Sequence, residues 1–107
     1  MKTELLHGTL EVMVLKTLSW GRMHGYGIGR WIEKQGGDTL HIEEGSLYPA
    51  LYRMQKRGWI KSGWGESDIG KRIRIYSLTP SGRAELRAQS AQWDSMVKAM
   101  ARVLKPA

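Results

Sequence analysis

Residues 79–105 read TPSGRAELRAQSAQWDSMVKAMARVLK, and after Gly82 nothing breaks them before Pro106. Thr79 suits an N-cap and Pro80 the first helical position, where a missing N–H leaves no intrahelical bond unmade. The stretch predicts a helix from Pro80 to about residue 104, roughly 37 Å long at about 1.5 Å per residue. Leu86, Ser90, Trp93, Val97, Met100 and Leu104 step alternately by four and three, a heptad seam widened by Met96 and Val103. A helix of that length overshoots what a chain of 107 residues can cover by itself, so its apolar face calls for a second surface. The expectation is a homodimer, with Leu86, Trp93, Val97, Met100 and Leu104 in its interface.

The chain upstream supplies shorter elements. In TLEVMVLKTLSW (9–20), Leu10, Met13, Val14 and Leu18 make one helical stripe, with Thr9 a plausible N-cap and Gly21 a natural stop. A second helix follows within MHGYGIGRWIEKQGG, where Ile28, Trp31, Ile32 and Gln35 share a face and Gly36-Gly37 ends the segment. Its three early glycines cost up to about 1 kcal/mol each relative to alanine. Their recurrence points to a close-packed neighbour or a bent entry. TLHIE (39–43) reads as a short strand, little more than a β-bridge.

The third helix, expected over 46–58, carries a proline, which is tolerated only near a helix start. Pro49 therefore fixes the start close to Ser46, itself a possible cap. Leu47, Leu51 and Met54 form the inward stripe. At about 100° per residue, Pro49, Tyr52, Arg53 and Lys56 lie opposite, flanked by Ser46 and Tyr48. WIKSGWG (59–65) and KRIRIYSL (71–78), joined by the turn-like ESDIG, predict a β-hairpin. Arg72, Arg74, Tyr76 and Leu78 share one strand face, with Tyr76 and Leu78 inward at the base and the arginines toward the tip.

Helix, helix, short strand, helix, hairpin and long helix compose a winged helix-turn-helix: mainly α with a small β-hairpin and a long C-terminal dimerisation helix. Residues 1–79 form the DNA-binding part and 80–107 the dimerisation helix. Between Arg53 and Tyr76 stand seven cations against Glu66 and Asp68, a local +5 of the whole +7. A basic surface on a helix of groove-filling width favours double-stranded DNA. Ser46 and Tyr48 can donate to phosphates; Arg53 and Lys56 can pair with phosphate or guanine, and Pro49 can meet a thymine methyl. Tyr52 shares that face. Lys71, Arg72 and Arg74 would lie over the backbone or in an adjacent minor groove.

HGYGI (24–28), GSLYPAL (45–51), RGWI (57–60) and YSLTPSG (76–82) resemble, in order and spacing, the hallmarks of the PadR-like transcriptional regulators. The resemblance covers nearly the whole chain, and GSLYPAL is its most specific part. It implies a homodimeric bacterial regulator, most often a repressor, on a pseudo-palindromic operator, released in some members by an aromatic small molecule. The layout is similar to the short subgroup that includes multidrug-sensing members. There, a tryptophan on the last helix lines an aromatic pocket at the dimer interface, which implies a ligand-stacking role for Trp93, with Met96 beside it. Trp93 also reads as plain interface core. Trp20, Trp31, Trp59 and Trp64 read as core or strand-surface residues.

Other classes find little support. The chain has no cysteine, which excludes disulfides and thiolate chemistry. His7, His24 and His41 are too scattered for a metal motif, and GYGIG lacks the strand and spacing of a phosphate loop. No acid–base pair or nucleophile constellation appears, so neither an enzyme nor a cofactor is expected. MKTELLHGTLEVMVLKTL lacks the pattern of a cleaved leader, and no apolar run approaches a membrane span, so the expected location is cytoplasmic, with no membrane partner. His24, at the entry to the second helix, suits a turn hydrogen bond or a phosphate contact. The competing reading of the whole is a winged-helix protein–protein interaction module without specific DNA binding.

Overall fold

The computed structural model describes residues 7–105. The first six residues, part of the segment read for a leader, and Pro106, the expected breaker, lie outside them. The elements are α1 (His7–Ser19), β1 (Met23–His24), α2 (Gly25–Gln35), α3 (Glu44–Lys56), β2 (Ile60–Glu66), β3 (Arg72–Leu78) and α4 (Pro80–Leu104). Leu40 makes a single bridge residue between α2 and α3, as the TLHIE stretch foretold.

The core forms where the apolar stripes of three helices meet. Leu10, Val14, Leu15 and Leu18 of α1 pack with Ile28 and Ile32 of α2 and with Leu47, Ala50, Leu51 and Met54 of α3. Ile60 and Tyr76 close it from the sheet, and Leu78 packs against it. Burying an aliphatic side chain of this size contributes about 1.5–3 kcal/mol, so this cluster dominates the body's stability. Gln35, grouped with Ile28 and Ile32, is instead exposed, because α2 ends there and its last turn passes the edge of the core.

Two helix starts differ from expectation. Thr9 sits inside α1, with His7 and Gly8 already helical, so it is not the N-cap. α3 begins at Glu44, with Glu43 as an N-cap whose side chain makes no capping bond. Ser46 is therefore the third helical residue, and its N–H bonds back to the Glu43 carbonyl at 3.0 Å. Pro49 falls in the second turn, where its missing N–H leaves the Gly45 carbonyl without its usual donor. The buried leucines on either side outweigh that loss.

The sheet has three antiparallel strands in the order β1-β3-β2, one more than the expected hairpin. β1 is only two residues, pairing Met23 with Tyr76 and His24 with Ile75, too short for a periodic signal. In the hairpin, Ile60 opposes Leu78 and the ladder runs outward to Glu66 opposite Arg72. Trp64 thus lies opposite Arg74, on the face shared by Arg72, Tyr76 and Leu78. On the reverse face Ile75 covers Gly65: a Cβ at 65 would come within 2.8 Å of it.

α4 starts as read. The Thr79 hydroxyl accepts the Gly82 N–H at 3.0 Å. Leu86 packs against its own domain's core, so the first two turns belong to the body and not to a free seam. Beyond them every residue from Ser90 to Lys105 is exposed. The radius of gyration is 15.2 Å, against about 13 Å for a compact chain of this length, as a projecting helix requires. No helix among the described residues is long and apolar enough to cross a membrane.

Candidate nucleic-acid interface

The outer face of α3 is exposed along its length. Gly45, Ser46, Pro49, Tyr52 and Lys56 are open to solvent, while Leu47, Ala50, Leu51 and Met54 are buried beneath them. Tyr52 carries Lys56 one turn on, with the ammonium 5.4 Å from the ring centre, which keeps that cation on the outward surface. A Ser hydroxyl, an apolar proline ring, an aromatic ring and an ammonium thus follow one another along a helix that fits a major groove.

The two shoulders of α3 are held differently. On the α2 side, Tyr48 lies against Gly25, where a Cβ would stand 2.7 Å from Cε1 of the ring. A Cβ at Gly29 would stand 3.4 Å from Leu47, so Gly25 and Gly29 face α3, while Gly27 makes room for the His24 ring. Burial, then the Glu44 carboxylate and Tyr76, push the Tyr48 phenol above its usual range, so it stays protonated and can donate. Beside it the His24 ring caps α2, accepting the Gly27 N–H on Nδ1 at 2.9 Å. The turn bond is the role the structure gives this histidine, and it leaves Nε2 as the donor of the neutral ring.

On the α1 side, Arg53 and Arg57 converge on Glu11. Arg57 reaches both carboxylate oxygens, at 3.1 and 3.4 Å, and the Arg53 Nε lies 3.4 Å from Oε2. Arg57 also stacks on Trp59, 5.0 Å from its ring centre. Arg53 is therefore not a free base-reading side chain in this conformation, and Arg57 faces away from the outer surface.

The hairpin continues the basic surface. Arg72 and Arg74 stack over Trp64, at 4.2 and 4.7 Å from its ring centre. Two guanidinium groups on one ring repel each other unless an anion joins them. The tip is closed by Ser67, whose hydroxyl accepts the Lys71 N–H at 3.0 Å and whose own N–H donates to the Lys71 carbonyl. Lys71 and Arg72 thus leave the turn in fixed directions, both exposed. Along α4, Trp93, Met96, Val97, Met100 and Leu104 are all about half exposed or more, a continuous apolar stripe that no other described residue covers.

The sequence profile of the "Transcriptional regulator PadR-like family" matches residues 14–88, from α1 through the first turns of α4. The chain belongs to the PadR-like family of transcriptional regulators. This family consists of DNA-binding regulators, not enzymes. The winged fold of this PadR-like chain is also that of solved relatives. A PadR-like transcriptional regulator from Bacillus cereus superposes with a TM-score of 0.82 at 28% identity, over 98% of this chain and all of that one. A transcriptional regulator from Clostridium thermocellum gives 0.84 at 31% identity, over 92% of this chain and 95% of that one. A transcriptional regulator of Mycobacterium tuberculosis is 28% identical over 83 residues, covering 78% of this chain and 74% of that protein.

In this PadR-like chain, Ser46, Tyr48, Pro49, Tyr52 and Lys56 come together on α3, and Lys71, Arg72 and Arg74 come together on the wing. Arg53 is drawn aside. Sequence reasoning passed over Glu11, and it read Trp64 as a core or strand-surface residue without its stacking under Arg72 and Arg74. Glu11 had a signal: it is a charge within the buried arc of α1, and two arginines four residues apart on α3 supply its partner. Trp64 had one too, since pairing the hairpin in register sets it opposite Arg74. No group of three or more potential ligands able to hold a metal occurs among the described residues.

Proposed function

We propose that this protein is a homodimeric repressor that holds a pseudo-palindromic operator through α3 and the wing and releases it when an aromatic small molecule enters the α4 seam. The observation that supports the reading is the exposed face of α3 running into an arginine-bearing wing, on a chain whose α4 presents an exposed apolar stripe. Ser46, Tyr48, Pro49, Tyr52 and Lys56 enter the major groove, with Arg53 joining them once it leaves Glu11. Lys71, Arg72 and Arg74 track the flanking backbone or minor groove. Residues 1–79 do the reading and 80–107 the pairing, with the first two turns of α4 fastening the two together.

Seam residues Trp93, Val97, Met100 and Leu104 meet their copies, while Leu86 sits at the root of the interface. Trp93 and Met96 offer a flat, polarizable surface suited to a planar aromatic effector. Two exposed arginines stacked on the one Trp64 ring offer a cationic surface suited to a polyanion, which favours DNA reading over an interaction module that ignores DNA. Hydroxyl-radical footprinting on the DNA upstream of the protein's own gene tests this. Two protected half-sites about one helical turn (34–36 Å) apart, or a multiple of it, are expected of a two-fold dimer. A single unsymmetrical footprint, or none, would overturn the reading.

A further inference from the structure

We propose that Glu11 governs the protein's discrimination between its operator and other DNA, by holding Arg53 and Arg57 off the duplex until a specific contact draws Arg53 away. The inference rests on the DNA reading above and adds to it a residue that touches no DNA.

Glu11 lies on α1, and its side chain is only 7% exposed, yet it is a carboxylate. A buried carboxylate needs compensation, and the compensation comes from the recognition helix itself. The two partners are not equivalent. Arg57 engages both oxygens, is clasped by Trp59, and sits at the C-cap of α3. Arg53 makes one long contact through Nε, on the margin of the outer face that carries Pro49, Tyr52 and Lys56. Arg57 thus keeps the carboxylate neutralised while Arg53 is free to leave. On ordinary DNA the phosphates compete weakly with Glu11 for Arg53, and one cation is subtracted from the sequence-independent attraction. At the operator, a bidentate partner such as guanine offers Arg53 a stronger site. Glu11 is a positioning residue: it acts on DNA only through the arginines it holds.

The test is the salt dependence of binding to a short mixed-sequence duplex, for the full chain and for Glu11→Gln. Each phosphate neutralised adds about 0.9 to the magnitude of the slope of log K against log salt. Glu11→Gln frees Arg53, while Arg57 stays stacked on Trp59, so the slope is expected to steepen by about one, with tighter binding to mixed DNA and a smaller ratio of operator to mixed-sequence affinity. Asp38→Asn is the control: it makes the same change in charge in an exposed turn, at φ 65°, a conformation asparagine tolerates, and is expected to leave the slope unchanged. If Glu11→Gln does not fold, Glu11→Asp keeps the charge but shortens the reach. It releases the longer Arg53 contact alone, steepening the slope by about one.

A purely structural role for Glu11 predicts weaker binding to all DNA with an unchanged slope. That result, or an equal change in Asp38→Asn, overturns the proposal. If the unaltered chain fails to bind any duplex, the DNA reading itself fails, which this comparison separates from a failure of the Glu11 proposal.

Discussion

Gly82 is the point where α4 is fastened to the winged body, and Gly82→Ala reverses the effect expected from helix propensity. Alanine is favoured over glycine in a helix by up to about 1 kcal/mol. Here the glycine is buried against the Trp59 backbone. A Cβ would press far inside contact distance of the Trp59 carbonyl oxygen, with that carbonyl's carbon at 2.9 Å and Leu78 Cδ1 at 2.8 Å. The oxygen cannot retreat, because it accepts the Thr79 N–H at 3.1 Å and holds the chain where β3 turns into α4. The Thr79 hydroxyl is also tied, at 2.6 Å, to the Gly58 carbonyl. Overpacking of this kind costs about 1–3 kcal/mol. Loss of the Thr79 cap adds about 1 kcal/mol. Against the propensity gain, the net is about 2 kcal/mol of destabilisation, a drop in Tm of roughly 8–16 °C at fixed protein concentration. Gly8→Ala, at a helical position open to solvent, is the matched control and should gain about 0.5–1 kcal/mol. Calorimetry of both variants decides: if Gly82→Ala melts as high as Gly8→Ala, the fastening of α4 described here is wrong.

Further outcomes follow from the same geometry. Because the folded state holds the Tyr48 phenol above its usual range, its contribution is present below about pH 10 and is lost as pH rises further, where the unfolded chain ionises first. Urea titrations across that range should show a shallower alkaline loss for Tyr48→Phe than for the unaltered chain. Replacing Arg72 and Arg74 together by alanine should weaken binding to all duplexes alike and flatten the salt slope by up to about 1.8 in anisotropy titrations. Trp93→Asp with Val97→Asp should yield a folded monomer by sedimentation, since Asp desolvated in an apolar seam lacks a partner. A dimer that survives this double change would place the interface elsewhere.

The elements that were legible in the sequence are those whose signal is local. Thr79-Pro80 and the heptad spacing marked both ends of α4, because cap and periodicity act within one helix. Leu47, Leu51 and Met54 declared the inner face of α3 in the same way. β1 was not legible: two residues carry no period, and only β3 beside them makes them a strand. The start of α3 was placed late because Pro49 argues for a nearby terminus, while packing of the leucines on either side sustains the helix through the lost bond. Within the interface, the outward positions of Ser46, Tyr52 and Lys56 follow from helical phase alone. The capture of Arg53 by Glu11 joins side chains 42 residues apart, a pairing that only the folded chain brings together. Leu86 fits the seam by spacing, yet it packs on its own core, since the helix must be anchored before it can project.

The central claim is that α3 and the wing, paired by α4, recognise a particular DNA sequence. Anisotropy titration at physiological salt compares the intergenic DNA upstream of the gene with a mixed-sequence duplex of equal length. The account predicts binding to the intergenic DNA at least about 10³-fold tighter. Equal affinity for the two duplexes would contradict it.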